Sequence, residues 1–178
     1  MTPTIITPRL ILRAQTEDDL PHCAAMWSNT AVVKHVGGQT RSYQDCWFTL
    51  LRGLGMWALK DYGYLTVADR RTGAFIGEVG FADFKRGLDP DISEWPEAGW
   101  VIDEPHWGKG YASEALKGLH EWLDETHAAL SAVCIINEQH SASIRVAEKL
   151  GYQEWERTNY KGAPIIVFQR PAADSPKI

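Results

Sequence analysis

From Trp107 to Ala115 the chain reads Trp-Gly-Lys-Gly-Tyr-Ala-Ser-Glu-Ala, a small-residue loop opening into an amphipathic stretch and following an apolar run, Gly99 to Ile102. The first turn of a helix carries unpaired backbone N–H groups and the positive end of the helix dipole. Glycines there let an anion, typically a phosphate, come close to the backbone. The segment is a candidate diphosphate cradle; the structural alternative is a plain strand-to-helix turn. Gly108-x-Gly110-x-x-Ser113 nearly matches a dinucleotide fingerprint, but that motif belongs early in a βαβ unit, and here it lies past the middle of the chain. A P-loop fails because Gly110 follows Lys109. His120-Glu121 begins a zinc-protease pattern whose second histidine position holds Asp124, and there is no GxSxG elbow.

Such a loop needs a strand before it and a helix after it. Glu97 to Asp103 reads as a strand stopped by Pro105. Tyr111 to Thr126 is the clearest helix, with Ala112, Ala115, Leu116, Leu119, Trp122 and Leu123 recurring at three and four. Upstream, Arg9 to Arg13 alternates as a strand, Thr16 starts a helix, residues 28–41 form a loop, and Ser42 to Leu54 is a second helix. Tyr62 to Asp69 and Ala74 to Phe84 are strands joined at Arg70-Arg71-Thr72-Gly73, and Gly87 to Pro96 is a polar loop. Downstream come a short apolar strand (Ala132 to Ile136), a helix (Ser141 to Leu150) closed by Gly151, and strands at Tyr152 to Tyr160 and Pro164 to Arg170. The order βααβββαβαββ describes one α+β domain over residues 1–170, with 171–178 as a frayed tail.

Composition narrows the function. No apolar run approaches the roughly 18–20 residues that span a bilayer, and the N-terminus lacks the order of a secretion signal, so no membrane role and a cytoplasmic location are expected. Cys23, Cys46 and Cys134 are far apart, which speaks against zinc and disulfides and for buried thiols. No metal is expected. A net charge of −5 disfavours nucleic acid as a partner.

Four segments in order resemble the GNAT superfamily of N-acetyltransferases, within it the branch of ribosomal-protein N-terminal acetyltransferases. They are Phe75-Ile76-Gly77-Glu78-Val79-Gly80-Phe81, Glu97-Ala98-Gly99-Trp100-Val101-Ile102, Trp107 to Ala115, and Ser143-Ile144-Arg145-Val146-Ala147-Glu148-Lys149-Leu150-Gly151-Tyr152. The resemblance runs from Thr7 to Phe168 and implies a mixed, mainly antiparallel sheet flanked by helices. It also implies acetyl-CoA as co-substrate and a primary amine, on a protein N-terminus or a small molecule, as acceptor. Homodimers are common among such relatives. The acetyl-CoA motif Gln/Arg-x-x-Gly-x-Gly/Ala maps onto Trp107-x-x-Gly110-x-Ala112, departing at its first position.

By this resemblance, amides of Gly108, Lys109, Gly110, Tyr111, Ala112 and Ser113 hold the pyrophosphate. Pantetheine lies beside Trp100, Val101 and Ile102, where the strand parts from Val133 to Ile136, and an N–H near Val101 or Ile102 meets the thioester oxygen. Asn137 and His140, the latter standing where relatives have asparagine, flank the pantetheine, and Ser143 bonds it or the sulfur; Ser143 also fits a helix N-cap.

An amine acceptor is mostly protonated at neutral pH, so a base must act. Glu97 is the first candidate, with solvent exposure or pairing to Arg86 as its structural alternative. Glu78 is the reserve, at an alternating position that points outward. The tyrosine that often protonates the thiolate in relatives maps onto Ala147. That gap motivates an alternative, a non-catalytic acyl-CoA-binding module for sensing or assembly. Trp27, His35, Trp47, Tyr160 and the loop Gly87 to Pro96 are candidate contributors to an acceptor pocket.

Overall fold

The computed structural model describes residues 1–128 and 130–173. Eight strands form one sheet: β1 (Ile5–Ile6), β2 (Leu10–Ala14), β3 (Tyr64–Asp69), β4 (Phe75–Ala82), β5 (Glu97–Ile102), β6 (Ala132–Asn137), β7 (Gln153–Tyr160) and β8 (Ala163–Arg170). Their order is β1-β2-β3-β4-β5-β6-β8-β7, antiparallel throughout except where β5 meets β6. The helices are α1 (Leu20–Ser28), α2 (Thr30–Val33), α3 (Tyr43–Lys60), α4 (Tyr111–Thr126) and α5 (Ser141–Lys149).

The sheet is covered on both faces. On one, α4 buries Ala115, Leu116, Leu119 and Leu123 against Leu10, Leu12, Leu65, Val67, Val79 and Phe81, joined by Ala147 of α5. On the other, α1, α2 and α3 bring Leu20, Met26, Trp27, Val33, Cys46 and Leu50 over Val101. The loop after β4 adds a smaller cluster in which Leu88 and Ile92 pack on Val133, Ile165 and Val167. All three cysteines are buried free thiols.

The predicted elements are present, with four differences in the first half of the chain and one unpredicted tight turn, Glu104–His106, before the glycine loop. A two-residue strand, β1, precedes the first predicted one and pairs with β2. The helix predicted from Thr16 begins as a single tight turn, Glu17–Asp19, before α1. The predicted loop over 28–41 holds the short helix α2. The helix predicted to end at Leu54 runs to Lys60, through Gly53 and Gly55. Glycine costs a helix about 1 kcal/mol, and packing outweighs it here. Trp57 is buried with its indole N–H donating to Tyr64 O at 2.9 Å, and Gly53 sits so near Gln15 that a Cβ would lie 2.7 Å from Oε1. The frayed-tail expectation falls largely on 174–178, outside the described residues. No described helix is long and apolar enough to cross a membrane.

Candidate active site

Gly108 and Gly110 have φ of 72° and 77°, the left-handed region that glycine enters at little cost. Gly110 is the residue before α4, and its carbonyl accepts the N–H of Glu114 at 3.1 Å. None of the six consecutive amides from Gly108 to Ser113 has a protein partner among the described residues. The loop is braced from behind. Arg9 donates to Lys109 O at 2.9 Å and to Glu114 Oε2 at 2.6 Å, while Thr7 donates to Glu114 Oε1 at 2.6 Å. Burial alone would raise the Glu114 carboxyl, but the hydrogen bonds from Thr7 and Arg9 and the Arg9 charge hold it below its usual value. The Lys109 ammonium is turned back onto Pro105 O at 2.9 Å, and the Trp107 indole donates to Ile102 O at 2.6 Å.

The strand leading into this loop has a free edge. β5 pairs with β4 along its whole length, but with β6 only at Glu97 and Val133, where Val133 N donates to Pro96 O at 3.0 Å. Alternation assigns the remaining groups. Asp103 N donates to Ile76 O on β4, so Val101 and Gly99 also turn toward β4, while Trp100 and Ile102 face the side from which β6 has departed. This corrects one expectation: of the two amides considered for the thioester oxygen, Val101's belongs to the ladder and Ile102's lies on the open edge, with Trp100's.

On the face covered by α1 and α3, two carboxylates lie inward. Glu78 is 4% exposed, so the expectation that it points outward is overturned. It shares a face with Thr66 on β3 and Val101 on β5 because these residues are directly opposite in register. Its Oε1 accepts from Gln15 Nε2 at 2.7 Å and Cys23 Sγ at 3.2 Å, and its Oε2 from Trp27 Nε1 at 2.9 Å. All three donors are neutral. Glu97 is also buried, and both its oxygens accept from Arg86 at 2.7 Å. Burial raises its carboxyl, with the Arg86 bonds and charge opposing. Of the two alternatives for Glu97, pairing to Arg86 is realised and solvent exposure is not.

Between the two carboxylates lies Tyr64, which sequence reasoning missed. Gly80 and Gly99 are opposite one another on β4 and β5, and Tyr64 is opposite Gly80 on β3. A Cβ on Gly80 would overlap the Tyr64 backbone, and one on Gly99 would overlap its hydroxyl oxygen. The phenol therefore lies flat across two glycines and ends against β5, one residue before the open edge. Burial, and then the charges of Glu97 and Glu78, keep this phenol above its usual range. The readable signal was the pair of glycines on adjacent strands, each with a strand-like neighbourhood.

At the far side of the gap, Asn137 ends β6 and its Oδ1 accepts from Gln139 N at 2.9 Å. The residue before α5 is His140, not Ser143, so the N-cap reading of Ser143 does not hold; Ser143 lies in the first turn, its Oγ 3.4 Å from His140 Nε2. Burial, with the His35 charge, lowers the His140 pKa, and the two imidazoles stack with centroids 4.8 Å apart. Tyr152 is buried, its hydroxyl 2.8 Å from His120 Nε2.

The acetyltransferase (GNAT) domain family model matches residues 9–153. The chain belongs to the GNAT acetyltransferase family. Among relatives, the uncharacterized protein YkkB of Bacillus subtilis is 32% identical over 113 residues, covering 62% of this chain and 63% of YkkB. A solved GNAT-family structure from Bordetella pertussis is similar at a TM-score of 0.84 and 27% identity, over 94% of this chain and 99% of that one. The ribosomal L7/L12 N-terminal acetyltransferase solved with coenzyme A shares the fold, at a TM-score of 0.77 and 16% identity over 97% of this chain and all of that one.

In this GNAT domain the candidate acceptor-pocket residues separate. Trp27 holds Glu78, and Tyr160 lies under the Arg86 guanidinium at 4.9 Å. Trp47 packs on the cluster beneath α1 and α3, and His35 stacks on His140 beside α5. Within the loop Gly87 to Pro96, Leu88 and Ile92 turn into the sheet as core.

Proposed function

We propose that this GNAT domain moves an acetyl group from acetyl-CoA to a primary amine by direct attack within a ternary complex. When bound, acetyl-CoA supplies an activated acetyl thioester with an anionic pyrophosphate handle. What carries the reading is the run of six unpartnered amides from Gly108 to Ser113 at the start of α4, beside a strand edge left open beyond Ala98. The fit is good on the chain's side: the amides sit at the positive end of the α4 dipole, and a Cβ on Gly108 would meet nothing within 4 Å, so the approach is clear. The open edge at Trp100 and Ile102 can take an extended amide chain as an added strand. The Ile102 or Trp100 N–H is then placed to bond the carbonyl oxygen as charge develops there.

On the opposite side the amine enters over Tyr64. The nitrogen forms its bond to the carbonyl carbon as the carbon–sulfur bond breaks, and the protons it sheds pass to a carboxylate and to the departing sulfur. Protonating Glu97 would leave the Arg86 guanidinium without its counter-charge in a buried place. Protonating Glu78 breaks no ion pair, since its donors are neutral. The geometry therefore favours Glu78 as proton acceptor, with Glu97–Arg86 as a fixed brace. Ser143, in the first turn of α5, is the residue assigned to the sulfur or pantetheine, with Asn137 and His140 beside it.

The test combines thiol release with calorimetry on CoA. Acetyl-CoA with a panel of peptide N-termini, polyamines and amino acids should release free thiol, and Glu78→Gln should slow it by about 100-fold or more with CoA affinity kept. CoA binding with no transfer to any amine would establish the binding module instead. Absence of CoA binding would overturn both.

A further inference from the structure

Arg41 and Arg52 line one open pocket of about 350 Å³ with Asp45, Phe48 and Thr49, on the α3 side of the sheet. Neither guanidinium is in an ion pair or a side-chain hydrogen bond among the described residues, although the chain as a whole carries −5. The Arg41 guanidinium is stacked on Trp27 at 3.4 Å from the ring centroid, held by a ring face that leaves its N–H donors free of protein acceptors among the described residues. Arg52 lies over Phe84 at 5.6 Å, and the Phe84 ring lies 6.5 Å from that of Tyr64. The acid in the pocket wall, Asp45, caps the start of α3, its Oδ2 accepting from Ser42 N at 3.0 Å and Ser42 Oγ at 2.6 Å, and it makes no contact ion pair with either arginine among the described residues. The pocket also adjoins the reacting region, since Trp27, on which Arg41 is stacked, donates its indole N–H to Glu78 Oε2 at 2.9 Å.

We infer that the acceptor is an acid-bearing amine whose carboxylate is held by Arg41 and Arg52 while its amine reaches the Tyr64–Glu78 side. Planar guanidinium groups with free donors suit a carboxylate, which accepts two parallel hydrogen bonds. Phe48 supplies an apolar wall for the carbons between the two ends, and Phe84 lies beyond Arg52 on the way to Tyr64. Arg86 is no part of this recognition because Glu97 already occupies it. The inference rests on acetyl transfer to an amine as proposed above, and adds which amines are taken.

Matched acceptors test it. Wild-type protein is assayed with an ω-amino acid against the amino alcohol of equal length, and with a Ser-Asp peptide N-terminus against Ser-Asn. The two arms separate a free amino acid from an acidic chain end as the source of the carboxylate. At least one acidic member should exceed its neutral partner by roughly 10- to 100-fold in kcat/KM. Arg52→Gln, on the exposed side of α3, should cut that ratio toward one through KM, and Arg52→Glu should reverse it. Calorimetry of glutarate against glutaramide on the CoA-saturated protein gives a readout independent of turnover, with glutarate binding lost in Arg52→Gln. Equal use of acidic and neutral acceptors, or a preference untouched by Arg52→Gln, overturns the inference while leaving acetyl transfer standing. Thiol release from no acceptor counts against the proposed reaction, and glutarate binding then decides this inference alone.

Discussion

Gly99→Ala tests the lane in which Tyr64 lies. Gly99 is in β5 and is not among the glycines with positive φ, so alanine suits its backbone. Taken alone the change would add about 0.4–1 kcal/mol by restricting the unfolded chain. Against this, the new methyl group would overlap the Tyr64 hydroxyl oxygen, with Cζ next at 3.0 Å and Cε1 at 3.8 Å. Clearing it means swinging the ring off Gly80 and Gly99, an overpacking cost of about 1–3 kcal/mol. The expected net loss is about 1–2 kcal/mol. Removing the hydroxyl first changes the balance: in Tyr64→Phe the nearest atom becomes Cζ, and a few tenths of an ångström suffice. Gly99→Ala in that background should be close to neutral, giving a coupling energy of about 1–2 kcal/mol between the two sites. Urea unfolding of the parent, both single variants and the double variant, followed by tryptophan fluorescence, measures it. Additivity of the two changes within about 0.5 kcal/mol would refute the placement of the phenol against Gly99.

Two further outcomes are expected. Gly110→Ala forces a side chain into φ near 77°, at about 1–2 kcal/mol, while its Cβ would meet Arg9 Nη2 only at an ordinary 3.6 Å; thermal unfolding should show that loss, and calorimetry a weaker CoA affinity, whereas unchanged affinity would argue against the loop as cradle. Burial lowers the His120 pKa from 6.5 to about 4, so the unfolded chain takes a proton that the folded chain refuses, and stability should fall as pH drops from about 6.5 toward 4. The full loss is roughly 3 kcal/mol, and urea midpoints across that window should flatten in His120→Gln; a slope unchanged by the substitution would assign it to other groups.

Local periodicity carried the fold, and failed where packing overrode it. α4 was readable because its apolar residues recur at helical spacing and a glycine loop precedes it. α3 was read short because Gly53 and Gly55 resemble a stop, whereas the helix continues since Trp57 has a buried seat and a carbonyl to bond. The outward reading of Glu78 failed for a related reason. Strand alternation assigns a residue to a face, but which face is covered depends on where α1 and α3 come to rest, and they cover this one.

The two halves of the site differ in how they are encoded. In the proposed function, the donor side is made by backbone: six adjacent amides, two glycines with positive φ, and a strand edge immediately upstream. Such a site is contiguous in the chain and shows itself as a spacing of small residues. In the same reading the acceptor side is made by side chains brought from Gln15, Cys23, Trp27, Arg41, Arg52, Tyr64, Glu78 and Arg86, which come together only after α1 and α3 fold over β3, β4 and β5. Each of them alone reads as an ordinary core or surface residue. Their meaning comes from pairing: Glu97 is paired because Arg86 reaches it, and Arg41 has Trp27 rather than a carboxylate stacked beneath it. On the inference drawn above, acceptor selectivity follows from which charges remain unpaired after folding, Arg41 and Arg52 in their pocket among them for the described residues.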